Sequence, residues 1–227
     1  MTAPPGPPVS TTAVQLLVTA ERLFGEHGIA GVSLRQIGAA AGSSNNSAVH
    51  YHFGSKEQLI EAIFSYRLPH LLQRRHLLKA RAVPGDLRSR LEAHLLPILE
   101  LAESRDSSYL SFLEQLERHH ATRPLLVPQE ATESQSQFVA DLQVLLDQID
   151  EAVRTIRIPQ MQMLSLHTAA ERERAVRTDE PVMPFGLFVS TLIDGCVGFL
   201  TGPVSAETKR LISLPDHKES EPLRRLI

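Results

Sequence analysis

The chain has 227 residues, 42% of them apolar, and a formal net charge of −3. It is long enough to bury a core in one large domain, or in a small domain and a larger one. No apolar run approaches the ~18–20 residues of a membrane span, and the N-terminus lacks the layout of a signal peptide, so we expect a cytoplasmic protein with no membrane partner.

The charge is unevenly distributed along the chain. Residues 11–80 carry seven Lys/Arg against four acidic residues, whereas residues 81–227 carry 16 against 22. A mildly basic front half on an acidic body is typical of a protein whose N-terminal part contacts nucleic acid.

Helix signals dominate from the start of the ordered chain. Residues 1–10 contain four prolines and are predicted to be a disordered tail. A first helix is predicted over 13–27, with Thr12 as its N-cap, Gln15 closing a capping box, and Gly28 as its stop.

Three further helices follow within the next fifty residues. Ser33 with Gln36 predicts the start of a second helix, which Gly42 ends. A third helix is predicted to begin at Ser43 or Ser44 and to reach about Tyr51. Beyond Gly54, Ser55 with Gln58 opens a long fourth helix, predicted to reach about residue 78.

The remainder of the chain also predicts helices and no strand, so the fold class is all-α. Four prolines, at positions 84, 128, 159 and 184, lie at or near predicted helix starts, where proline is tolerated. The helices are predicted over 85–103, 107–120, 129–157, 160–177 and 184–201, with one short helix possible after Pro203.

Residues 33–53 read as a helix-turn-helix: a support helix, a turn containing glycine, and a polar recognition helix. Asn pairs bidentately with adenine, and Ser bonds to base edges or phosphates, which makes the polar start of the third helix a candidate for base contacts. Flanking helix starts at Ser33 and Lys56 are placed to bind phosphates. The candidate DNA-binding residues are Ser33, Arg35, Ser44, Asn45, Asn46, Ser47, His50, Tyr51, His52 and Lys56.

The pair His50 and His52 also has the composition of a metal site. Residues i and i+2 of a helix point about 200° apart, so the two imidazoles cannot easily bind one ion. We therefore predict no metal site and no cofactor, and assign both side chains to phosphate contact or packing.

Many spaced residues of this region together resemble the N-terminal domain of TetR-type transcriptional regulators, over about residues 12–64. The resemblance is carried by Phe24-x-x-x-Gly28-x-x-x-Val32-Ser33-Leu34-Arg35-Gln36-Ile37, Ala41-Gly42, Tyr51-His52-Phe53 and Ser55-Lys56-Glu57-x-Leu59. It implies a homodimer with a three-helix DNA-binding head and a larger helical domain that binds a small molecule and dimerises. Most members are repressors that a ligand releases from DNA.

The resemblance also implies a division of the chain. It predicts a DNA-binding head over 11–54 and a ligand-binding and dimerisation domain over 55–203, followed by a C-terminal tail over 204–227. Compared with the family pattern, residues 43–47 contain one extra residue, so either His50 or Tyr51 takes the place of the usual phosphate-binding tyrosine.

Two sets of residues in the body are candidates for the remaining roles that the resemblance implies. The pocket for an uncharged or amphipathic ligand is predicted to use His94, Tyr109, Phe112, Gln115, Leu116, Phe138, Leu142, Met163 and His167. The last two long helices are predicted to form the dimer interface through Leu164, Leu187, Thr191, Asp194, Gly195 and Gly198.

Two other functional classes are open alternatives to a repressor. A helical adaptor without DNA binding would share the body but not need the polar third helix. An enzyme is the least favoured, because the sequence has no Gly-rich phosphate loop, HExxH motif, nucleophile elbow or cysteine cluster.

Overall fold

The computed structural model describes residues 11–43, 48–118 and 127–214, and in these residues it contains α-helices and no strand. The predicted all-α fold class is confirmed. The helices are α1 (Thr11–His27), α2 (Leu34–Ala40), α3 (Ala48–Phe53), α4 (Lys56–Arg81), α5 (Leu87–Leu101), α6 (Tyr109–Glu117), α7 (Gln129–Leu145), α8 (Glu151–Arg177), α9 (Phe185–Thr201) and α10 (Ala206–Ile212).

Two of the three predicted capping boxes are confirmed, and one is wrong. The Ser33 and Ser55 hydroxyls accept hydrogen bonds from the N–H groups of Gln36 and Gln58, whose side chains accept from the cap N–H groups in return. Helix α1 begins at Thr11, so Thr12 lies inside it and cannot be its N-cap. Gln15 instead donates its amide N–H to the carbonyl of Ala41, 3.3 Å away, at the end of α2.

The predicted boundary at Pro159 is also wrong. Helix α7 ends at Leu145, and α8 runs without a break from Glu151 through Pro159 to Arg177. The break comes earlier because Asp150 caps α8, its carboxylate accepting the Ala152 N–H at 2.9 Å. Burial of Ile158 and Met161, one residue before and two residues after the proline, stabilises the continuous helix despite the lost N–H donor.

A continuous apolar core links the N-terminal helices to the body. Helix α1 packs on α2, α4 and α6, and its Phe24 is fully buried, with its ring centroid 6.1 Å from that of Phe112 on α6. Gly25 makes this approach possible, since a Cβ there would lie 2.9 Å from the Cβ of Ser111. The head is therefore seated directly on α6.

The N-terminus of α6 is satisfied by carboxylates from two distant helices. Glu21 on α1 accepts the Ser108 N–H at 2.8 Å and two hydrogen bonds from the guanidinium of Arg67 on α4, at 2.8 and 2.9 Å. Glu173 on α8 accepts the N–H groups of Leu110 and Ser111 at 3.0 and 2.9 Å. Both carboxylates are buried, so α1, α4, α6 and α8 meet at one helix end.

Helix α7 is attached to the body by a stack and by ion pairs. The imidazole of His94 on α5 lies parallel to the ring of Phe138, with centroids 3.6 Å apart. Asp141 accepts from Arg90 at 2.8 Å and lies 2.9 Å from the ammonium of Lys79. Burial alone would raise the pKa of Asp141, but hydrogen bonds from Lys79, Gln137 and Arg90 lower it to about 2.

Helix α9 packs on α5 and α8 along one side. Its Cys196 is buried, with the sulfur 3.4 Å from the hydroxyl oxygen of Ser165, and burial raises the pKa of this thiol. In the described part of the chain no single helix is long and apolar enough to cross a membrane. Helices α9 and α10 reach the required length and hydropathy only when taken together, and they are bent by 58° relative to each other.

We expect Glu21→Gln to lower the free energy of unfolding by about 3–5 kcal/mol, because it leaves the Arg67 guanidinium without its carboxylate. The measurement is urea unfolding, monitored by circular dichroism. Glu61→Gln, on the exposed face of α4, is the matched control and should change the free energy by no more than about 0.5 kcal/mol. Equal effects of the two substitutions would contradict the role given to Glu21.

We expect the stabilisation from Asp141 to depend on pH. Its pKa is below the ordinary value of 3.8, so the contribution is present above about pH 4 and is lost as the pH falls towards about 2. Near neutral pH, Asp141→Asn should lower the free energy of unfolding by about 1 kcal/mol. The effect is small because the ion pairs of Asp141 with Lys79 and Arg90 are partly exposed, so solvent screens them. The difference from wild type should shrink in acid, whereas Asp147→Asn should show no such trend.

Candidate nucleic-acid interface and ligand-binding body

Helix α3 is held against α2 by the fully buried side chain of Val49. Val49 is 0% exposed and lies over Gly38, where an added Cβ would be 3.6 Å from a Val49 methyl. Left-handed glycines end both helices, Gly42 with φ of 71° and Gly54 with φ of 73°. These constraints fix the direction in which the other side chains of α3 point.

The polar residues of α3 project into solvent. His50, Tyr51 and His52 are all exposed, and Tyr51 is 83% exposed, the largest fraction among the exposed large apolar and aromatic side chains. Arg35, on the preceding helix, is exposed as well. An aromatic side chain this exposed contributes nothing to the core and is accessible to a partner molecule.

The predicted contacts at the start of α3 lie outside the described residues: Ser44, Asn45, Asn46 and Ser47. His50 and Tyr51 are both exposed, so either can occupy the phosphate-binding position.

The two predicted phosphate contacts at flanking helix starts already have partners within the protein. The Ser33 hydroxyl accepts from the Gln36 N–H and donates to its side-chain oxygen at 2.7 Å. The Lys56 ammonium donates to the carbonyl of Ile29 at 2.9 Å, which joins the loop after α1 to the start of α4. A lysine has three N–H donors, so Lys56 retains two for a phosphate.

The nine predicted pocket residues lie in three places. Tyr109, Phe112 and Leu116 are buried on α6 near the head, and Gln115 on the same helix reaches the Gly25 carbonyl at 3.5 Å. The second group lies between α5 and α7: His94, Phe138 and Leu142, all buried. The third, on α8, is exposed: Met163 and His167.

Within the exposed group, His167 has a partner on α6. The His167 imidazole pairs with Glu114 at 2.6 Å, and Arg174 reaches the other oxygen of that carboxylate at 2.9 Å. Burial alone would raise the pKa of Glu114, but these two partners lower it. The His167 imidazole is therefore hydrogen-bonded to an α6 carboxylate in the monomer and is not directed at the buried groups.

The six predicted dimer residues are all exposed in the single chain: Leu164, Leu187, Thr191, Asp194, Gly195 and Gly198. Leu187, Thr191, Asp194 and Gly198 recur at helical spacing, so they form one stripe along α9. A Cβ added at Gly195 or Gly198 would meet no atom within 4 Å. Exposed large apolar residues that the sequence did not single out include Ile156, Met183 and Phe199.

A cluster of basic side chains in the body was missed at the sequence level. Arg75 and Lys79 on α4 and Arg90 on α5 all lie around the His94–Phe138 stack and Asp141. The sequence shows an amphipathic helix with scattered positive charge, a pattern usually assigned to solvent. Only the crossing of α4, α5 and α7 brings these charges together.

Three comparisons relate the chain to known proteins. Residues 16–63 match the family model for bacterial regulatory proteins of the tetR family. A curated relative, the HTH-type transcriptional repressor AcnR of Corynebacterium efficiens, is 28% identical over 193 residues, which cover 85% of this chain and 84% of the relative.

Solved structures share the fold at lower identity. A TetR-like transcriptional regulator from Rhodococcus has a TM-score of 0.58 at 15% identity, covering 89% of this chain and 100% of that one. A probable transcriptional regulatory protein has a TM-score of 0.59 at 21% identity, covering 85% and 98%. The helix-turn-helix head of this chain, within residues 16–63, is therefore similar to that of the tetR family of bacterial regulatory proteins, and the chain as a whole shares the all-α fold of solved TetR-like regulators.

Proposed function

We propose that the protein is a repressor that binds a two-fold symmetric operator as a homodimer and is released by a small molecule. The observation that carries the proposal is the outward face of α3, whose polar and aromatic side chains have no role in the monomer's core. The relative in Corynebacterium efficiens is named as a repressor, which supports repression over activation.

In this proposal α3 enters the major groove and its flanks bind the backbone. Asn45 and Asn46 are the candidates for base contacts, with Ser44 and Ser47 beside them. Arg35, His50, Tyr51, His52 and Lys56 are assigned to phosphates, and Ser33 contributes chiefly by capping α2. Two heads would read half-sites about one helical turn apart.

The exposed stripe of α9 supports dimerisation. Glycine costs about 1 kcal/mol relative to alanine inside a helix, yet Gly186, Gly195 and Gly198 all lie on the solvent side of α9. No atom of the described chain lies within 4 Å of a Cβ added at any of them. A second helix approaching closely, as across a two-fold axis, accounts for glycines in such positions.

Effector control is proposed through α6. This helix contacts α1 of the head on one side, while its N-terminus is bound by Glu173 of α8 in the body. A ligand that favours a different position of α6 would therefore change the position of the heads.

We expect Arg35→Ala to weaken binding to specific DNA and to random DNA by a similar factor, because one phosphate contact is lost. For the same reason, the slope of the logarithm of the binding constant against the logarithm of the salt concentration should decrease in magnitude by about 1. Fluorescence anisotropy across a salt series measures this. Arg210→Ala, on α10, removes the same charge outside the head and should leave both quantities unchanged. An unchanged slope in Arg35→Ala would contradict the phosphate contact.

We expect Gly195→Leu to convert the dimer to a monomer without unfolding it, since the monomer has room for the side chain and leucine favours helix. Analytical ultracentrifugation gives the oligomeric state, and circular dichroism reports the fold. Ala80→Leu, at an exposed site on α4, is the matched control and should remain dimeric. A dimer of undiminished affinity in Gly195→Leu would exclude this face.

A further inference from the structure

A cationic side chain in the body lacks a carboxylate partner. Arg75 on α4 is partly buried, and its Nε donates to the backbone carbonyl of His94 at 3.1 Å. Among the described residues no carboxylate lies within ion-pair distance of its guanidinium, in contrast to the neighbouring Arg67 and Arg74, which bind Glu21 and Glu100 bidentately.

The surroundings of Arg75 carry excess positive charge. Arg90, whose charge acts on Arg75, binds the carboxylate of Asp141 together with Lys79, so this carboxylate is already paired with two other cations. Burial lowers the pKa of Arg75 to about 10; the nearby Tyr109 phenol acts to raise this pKa, and the charge of Arg90 acts to lower it. The guanidinium is still cationic at neutral pH, so this charge remains uncompensated.

His94 cannot supply the missing negative charge. Its imidazole is buried against Phe138, and burial together with Arg75 and Arg90 lowers its pKa well below the ordinary value. It is a neutral, flat surface beside the cations. A partly buried cation without a counter-ion is costly, which indicates that an anion from outside the chain completes the site.

We propose that Arg75, assisted by Arg90 and Lys79, binds the carboxylate of an organic-acid effector at the junction of α4, α5 and α7. The guanidinium offers a planar pair of donors that matches a carboxylate. Apolar neighbours suit a carbon chain: Leu71 lies one turn before Arg75 on α4, and Leu95 and Phe138 are buried nearby on α5 and α7. The inference rests on the proposed effector control and specifies the ligand as an amphipathic anion.

The test uses two probes of equal chain length, octanoate and octan-1-ol, titrated into the full-length protein by isothermal calorimetry up to the millimolar range. Wild type should bind octanoate at least about tenfold more tightly than the alcohol, because only the carboxylate pairs with Arg75. Arg75→Met should remove this preference. Arg105→Met, which deletes an arginine paired with Asp179 on the surface, should retain it.

Two further measurements keep the test decisive. Arg75→Lys preserves the charge but not the planar donor pair, so its affinity for octanoate should lie between those of wild type and Arg75→Met. Circular dichroism verifies that each variant is folded. Equal affinity for both probes, no octanoate binding, or an octanoate affinity that Arg75→Met leaves unchanged would overturn the proposal. Inorganic phosphate binding more tightly than octanoate would overturn the assignment to an organic acid.

Failure of this inference and failure of the proposed function give different results. If octanoate does not bind but the protein retards operator DNA as a dimer, the repressor proposal stands and the anion site falls. If octanoate binds in an Arg75-dependent way but no DNA sequence is bound, the anion site stands and the repressor proposal falls.

Discussion

The structure depends on how the N-terminus of α6 is satisfied. A helix start leaves backbone N–H groups without partners, and Ser108 provides no side-chain cap for α6. Glu21 from the head and Glu173 from the body bind these groups instead, and Arg67 compensates the first carboxylate. Because both acids are buried, neither helix can move away from α6 without exposing an unpaired charge or unsatisfied N–H groups. The head and the body are thus joined through polar groups that have few alternative positions.

This arrangement suits a protein that must transmit a change over some distance. Gly25 lets α1 lie directly on α6, and Arg177 of α8 extends the same network by binding Glu26 at 2.7 Å and the Ser108 hydroxyl at 3.1 Å. Helix α7 is attached to the body by the His94–Phe138 stack, by the shared carboxylate of Asp141, by the buried Leu142, and by Arg154 of α8, which donates to the Gln143 carbonyl at 2.6 Å. The basic cluster therefore lies at the attachment of α7, and the buried carboxylate network lies at the attachment of the head.

The outer face of the body has a different character. Leu187, Met183 and Phe199 are exposed large apolar residues around the glycines of α9, and Asp194 on the same stripe pairs with Arg88 of α5. A large exposed apolar surface of this kind is unusual for an isolated chain and typical of an interface. The polar face of α3 has the opposite composition, so two different partners are expected for the two surfaces.

The sequence by itself determined the local features. The capping boxes at Ser33 and Ser55, the stops at Gly42 and Gly54, the all-α class and the polar outward face of α3 follow from residues a few positions apart, since helix starts, stops and periodicity are short-range effects. Tertiary structure decided the rest. Pro159 lies inside α8 because burial outweighs a lost N–H. The start of α6 is capped by Glu21 and Glu173, which are 87 and 63 residues from the N–H groups that they bind. The cluster around Arg75 exists only because three helices cross, and no pattern along the chain encodes a distance between helices.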